Sequence, residues 1–184
     1  MPPSHPVDLD RLVRLYGLQG VVLFPRYAGQ DWPGSRSLAS VGLPHDDLFF
    51  SRADVGDPEP LPVGVGSWYD SRGWDCPPES RDWLILGVMS TAVFAVDPSS
   101  GRVYGFPEGE DGYESLHRDV PSFVHCLVAF RELMDAYKAT DGPEAIEPLV
   151  EAFRAEVEAV DPTPLGDEDS VWNLILDDVL AQNY

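Results

Sequence analysis

RDWLILGVMSTAVFAVDPSSGRVYGF, residues 81–106, is the stretch from which the fold can be read. Arg81 to Val88 alternates as a strand, with Trp83, Ile85 and Gly87 on one face and Leu84, Leu86 and Val88 on the other. Both faces are apolar, so a central strand covered on both sides is expected. Met89-Ser90 is a short connection, after which Ala92, Phe94 and Val96 alternate along a second strand. Asp97-Pro98-Ser99-Ser100-Gly101 is turn chemistry: Asp97 can bond the backbone two residues on, Pro98 presets its φ, and Gly101 supplies positive φ. Arg102 to Phe106 returns as a third strand. A three-stranded antiparallel meander is expected.

C-terminal to the meander, an acidic loop runs from Glu108 to Glu114. Pro121 then opens a helix in which Phe123, Cys126, Leu127, Phe130, Met134 and Tyr137 form one stripe, suited to lie on a sheet. Gly142-Pro143 breaks it. Ile146, Leu149, Val150, Phe153 and Val157 repeat the pattern in a second helix, with Pro148 in its first turn. Asp167, Glu168 and Asp169 precede a last helix whose apolar face is Trp172, Ile175, Leu176 and Val179. N-terminal to the meander, Val7 to Tyr16 reads as a short amphipathic helix capped by Asp8 and Gly17. Val21 to Phe24 and Leu48-Phe49-Phe50 read as short strands, and Ser37 to Pro44 as an apolar island. Residues 54–80 hold Pro58, Pro60, Pro62, Gly64, Gly66, Gly73, Pro77 and Pro78 beside Trp68, Tyr69 and Trp74. Their aromatic content argues for a packed excursion with one or two irregular strands.

Composition narrows the function. The chain has 184 residues, 43% of them hydrophobic, enough for a sizeable core. No run approaches the ~20 apolar residues of a membrane helix, and no basic-then-apolar leader opens the chain, so a cytoplasmic protein is expected. With 32 acidic against 12 basic residues the formal net charge is −20. That field excludes sequence-independent nucleic-acid binding and steers basic partners inward. Residues 139–184 hold twelve acids and a single base, Arg154.

Motifs for chemistry are sparse. Gly64-Val65-Gly66 begins like a dinucleotide loop, but Tyr69 stands where the third glycine belongs. The only lysine, Lys138, sits at a helix end, which argues against a Schiff base. His45 with Asp46 and Asp47, and His117 with Asp119, have the ligand types for a metal but equally those of a turn. His5 lies near the terminus, and His125 falls off the stripe of its helix as a partly exposed surface residue. Cys126 lies on that stripe, as a core thiol. A disulfide to Cys76 and two inert thiols both remain open. Glu108, Glu110, Asp111 and Glu114 fit a solvated turn, a partner-binding loop, or paired carboxylates of a small hydrolase. Trp68, Tyr69 and Trp74 fit either interface anchors or side chains buried under their own loop.

Several strings resemble the SUKH superfamily of bacterial immunity proteins, in particular its fourth family. They are Leu84-Ile85-Leu86-Gly87, then Val93-Phe94-Ala95-Val96-Asp97-Pro98-Ser99-Ser100-Gly101-Arg102-Val103-Tyr104, and the Ser122-Phe123 helix with Leu127. Asp169 to Tyr184, with Trp172, Leu176, Asp177-Asp178 and Tyr184, and upstream Gly42-Leu43-Pro44, extend the likeness over residues 38–184. Met89-Ser90-Thr91 departs from it, since such proteins often carry small or glycine residues there. The resemblance implies one SUKH-like domain over residues 1–184, with 1–37 as lead-in. Its fold would be α+β, a mixed, largely antiparallel β-sheet flanked by α-helices. It implies no catalytic residue, cofactor or metal. It implies a protein that binds and occludes a cognate toxin of the nuclease or deaminase class. A non-catalytic intracellular scaffold is the alternative, since the superfamily includes such members. Candidate contact residues are Trp68, Tyr69, Asp70 and Trp74 in one loop, and Glu108, Glu110, Asp111 and Tyr113 in the other.

Overall fold

Helices and strands follow one another as α1 (Leu9–Tyr16), β1 (Val21–Val22), α2 (Ser35–Ser40), β2 (Leu43–Pro44), α3 (Val65–Asp70), β3 (Leu84–Val88), β4 (Ala92–Val96), β5 (Val103–Pro107), β6 (Glu114–His117), α4 (Val120–Lys138), α5 (Ile146–Val160) and α6 (Val171–Leu180). This is the order in the computed structural model, which describes residues 6–25, 31–51, 64–109, 112–140 and 142–183. The fold is α+β. β3-β4-β5-β6 form one sheet and β1-β2 a second, small one, and every pairing of these strands is antiparallel.

The turn between β4 and β5 forms as its residues dictate. Ser99 N–H donates to Asp97 Oδ1 at 2.8 Å, and Gly101 takes φ 77°. The meander has four strands, however, not three. β6 occupies the end of the expected acidic loop, because Glu114 leaves solvent to cap a distant helix, as described below.

β3 is an edge strand of the sheet, not a central one. Its apolar character on both faces has the expected cause, cover on both sides. Its free edge is met by single bridges, Phe50 to Val88 and Gly64 to Leu84. These blunt an edge that would otherwise template further pairing. Of the expected strand Leu48-Phe49-Phe50 only the Phe50 bridge exists. The preceding residues turn instead, with Leu48 and Phe49 N–H both donating to Asp46 Oδ1.

A bulge at Leu86 shifts the β3–β4 register between Ile85 and Gly87. The alternation therefore inverts. Trp83 and Ile85 face one side as expected, but Gly87 joins the opposite face, where a Cβ would collide with the Phe49 ring and stand 2.7 Å from the Phe50 carbonyl oxygen. Gly87→Ala is therefore expected to cost about 1–3 kcal/mol in chemical denaturation, as overpacking against a rigid ring does.

The two faces of the sheet carry separate cores. On one, Leu86, Phe94, Val96, Val103 and Leu116 meet the α4 stripe. Phe94 stacks on Phe123 at 5.2 Å, and Phe130 meets Trp172 of α6 at 5.5 Å. Asp119 caps α4 by accepting from Ser122 N–H at 2.8 Å. α5 and α6 cover α4 with Val150, Phe153 and Val157, and with Trp172, Ile175 and Val179, all buried. α1, capped by Asp8, is tied to α4 by Arg11–Glu132 at 2.8 Å and by Tyr16 Oη–H donating to the Leu127 carbonyl. On the other face a smaller core gathers Val65, Trp83, Ile85, Ala95 and Phe106.

Candidate functional site

Residues 64–80 form a helix and a 3-10 turn (Pro78–Ser80) where irregular strands were expected. The rest of that excursion, including Pro58, Pro60 and Pro62, lies outside the described residues. Two backbone bonds fasten α3 to the start of β3: Val65 N–H to the Trp83 carbonyl at 2.9 Å and Gly66 N–H to the Arg81 carbonyl at 3.0 Å. A Gly66 Cβ would stand 3.1 Å from that carbonyl, which accounts for the glycine that mimics a nucleotide motif. Asp70 at the end of α3 pairs with Arg81 at 2.6 Å, raising the guanidinium pKa through that hydrogen bond.

With α3 held there, its aromatics lie over the small core. Tyr69 meets Phe106 edge-on at 6.0 Å, and the chain turns back so that Trp74 meets Tyr69 at 6.0 Å. The Arg72 guanidinium sits 3.5 Å above the Trp68 ring. Between this helix and the sheet opens a groove of about 750 Å³. Trp68, Tyr69 and Trp74 form one wall, and Val88, Met89, Val93 and Phe106 supply apolar lining from the sheet. Asp75 and Glu108 also line it. Trp74 keeps 55% of its surface exposed.

The structure thus brings Trp68, Tyr69, Trp74 and Glu108 together, from two segments separated by β3, β4 and β5. Asp70 and Tyr113 are not in the groove lining. Asp70 is spent on Arg81. Tyr113 packs on Trp83 at 4.7 Å and donates to Glu79 Oε1 at 2.9 Å, which raises its phenol pKa. Glu110 and Asp111 lie outside the described residues. Glu114 is structural: its Oε1 accepts from Val171 N–H at 2.8 Å, satisfying an otherwise orphan donor in the first turn of α6. Arg72, Asp75, Met89 and Phe106 were not anticipated. Phe106 had a signal, since alternation along β5 places it on the face opposite Val103.

The histidines have other duties. Asp46 Oδ2 pairs with Arg131 at 2.8 Å, so the His45-Asp46-Asp47 segment is a turn. His117 is fully buried, and Asp119 is a helix cap. Trp172 Nε1–H donates to His117 Nε2 at 3.0 Å, leaving its proton on Nδ1, which faces Asp161 Oδ2 at 3.9 Å. Burial holds this imidazole neutral, outweighing the Asp161 charge. His125 is buried rather than exposed, because α5 crosses it: Nε2 lies 3.4 Å from the Glu156 carbonyl oxygen. Cys126 is a core thiol whose pKa burial pushes well up. Cys76 lies against the smaller core, so the two thiols belong to opposite faces, and both are free. Among the described residues no group of three His, Cys, Asp or Glu could hold a metal. No helix among them is long and apolar enough to cross a membrane.

Comparison with the curated proteins and with the solved structures gave no match. A family model did match. Described as SUKH-4 immunity protein, it aligns with residues 7–178, from just ahead of α1 into α6. It begins well upstream of residue 38, in keeping with the ties of α1 to α4 and the pairing of β1 with β2. On that match the chain belongs to the SUKH-4 immunity protein family.

Proposed function

We propose that this protein neutralises a cognate toxin by binding it and covering its working surface, in the cytoplasm and without catalysing a reaction. Family membership supports the toxin-immunity role. Charge supports the toxin class. Nucleases and nucleic-acid deaminases carry basic grooves, and a −20 chain is drawn to them quickly. Glu147, Glu151, Glu158, Asp167, Asp177 and Asp178 stand exposed on the α5–α6 side and extend that field.

The observation that carries the choice of surface is the groove itself. An open apolar trough walled by three aromatics, with carboxylates in its lining, has the make-up of an interface centre. The test is co-expression with the product of the adjacent open reading frame. That product alone should stop growth, and co-expression should restore it. If the neighbour is no toxin, or is not silenced, the reading fails. Trp74→Ala is expected to weaken the complex by about 2 kcal/mol, near thirtyfold in Kd by calorimetry, with unchanged melting because the ring is more than half exposed.

A further inference from the structure

We propose that the groove is a receptor for one arginine side chain projecting from the toxin, an inference that rests on the groove being the toxin contact. Its guanidinium would lie on the exposed Trp74 ring and be held by Asp75 and Glu108. Its methylene stem would run along Met89, Val93 and Phe106.

Three observations carry this. Asp75 and Glu108 have no ion-pair or side-chain hydrogen-bond partner among the described residues, and both line the groove, whose only base there is Arg72. Two acids against one base leave the lining with an uncompensated negative charge, beside an apolar floor that a bare cation would not use. An amphipathic cation uses both. The chain also shows the geometry itself. Arg72 rests 3.5 Å over Trp68, while donating to the Trp68 carbonyl and Ser71 Oγ at 3.2 Å. The same guanidinium is 5.8 Å from the Trp74 ring, at the limit of such contact. Trp74 therefore retains ring surface for a second planar cation. A guanidinium rather than an ammonium is favoured because it can stack and still present paired donors to carboxylates.

The test uses the full-length protein with N-acetyl-arginine amide as probe, followed through the indole N–H resonances of Trp68 and Trp74. The Trp74 resonance should shift saturably in the millimolar range. The citrulline derivative, isosteric but neutral, should leave it in place, and the lysine derivative should bind more weakly. Glu108→Gln should weaken arginine binding about threefold, as expected for an exposed charge pair. Both carboxylates are exposed, so Asp75→Asn with Glu108→Gln should fold normally and weaken it about tenfold. Equal shifts with arginine and citrulline, a lysine response matching that of arginine, or no movement of Trp74 would overturn the inference. A weakened toxin Kd in Trp74→Ala alongside a silent arginine titration would sink only the arginine assignment. An unchanged toxin Kd in Trp74→Ala would sink the choice of surface.

Discussion

Trp172→Ala is expected to lower the unfolding free energy by about 4–7 kcal/mol, measured by urea denaturation at neutral pH. The indole is fully buried and touches four elements: Phe94 of β4 at 6.2 Å, Phe130 of α4 at 5.5 Å, Phe153 of α5 at 6.1 Å and His117 of β6 at 6.1 Å. Truncation leaves a cavity that rings from four directions cannot jointly close, at a cost of about 3–5 kcal/mol. It also strips His117 Nε2 of its donor, adding about 1–2 kcal/mol. Domains have about 5–15 kcal/mol in all, so this variant should be partly unfolded at 37 °C. Trp172→Phe separates the two contributions. It keeps most of the volume and loses the N–H with little of the ring, so a cost of about 1–3 kcal/mol is expected. If Trp172→Phe were neutral, the hydrogen bond to His117 would be structurally idle.

Acid should weaken the fold well before ordinary carboxylates titrate. In the unfolded chain His117 regains its usual pKa of 6.5, whereas burial depresses it in the fold. Between those values the unfolded chain binds a proton that the native one refuses. Stability is then fully present above about pH 6.5 and lost as pH falls, by about 1.4 kcal/mol per pH unit.

Asp161 acts lower down. Burial alone would raise its pKa, but donors from Arg118 N–H, Thr163 N–H and Oγ1–H, and Ser122 Oγ–H outweigh this and hold it below the usual 3.8. Its contribution is present above 3.8 and disappears as pH falls through the depressed value. Denaturation midpoints from pH 8 to 4 should therefore decline from about 6.5 downward, and His117→Gln should flatten the decline between 6.5 and 4.5. A His117→Gln profile parallel to that of the parent would refute the assignment. Asp161→Asn should cost about 3 kcal/mol at pH 7, since an amide cannot accept all four donors.

What could be read in advance depended on how far apart in sequence the causes lay. The Asp97–Gly101 turn and the Asp8 cap are local chemistry, and the helices centred on Phe123, Phe153 and Trp172 declare themselves by their stripes. β6 was hidden because Glu114 serves α6, 57 residues away. His125 was misplaced because the period of its own helix says nothing about α5 crossing it. The edge position of β3 was masked by Phe50 and Gly64, which cover it without forming strands. In the groove, Trp68, Tyr69, Trp74 and Glu108 stood out by residue type. That they meet follows from the bonds of Val65 and Gly66 to the β3 lead-in, which no spacing rule encodes. Asp70 and Tyr113 were drawn in by adjacency and turned out to have partners of their own.

One sheet serving two unequal cores has an evolutionary consequence. Side chains on the α3 side touch few of those that set the energetics of the helical side, so changes in the two places should combine almost independently. A lineage could then replace Trp74, Asp75 or Glu108 to follow a changing adversary while the ring cluster about Trp172 stays as it is. Diversity among relatives should accordingly concentrate on the groove and spare the helical half.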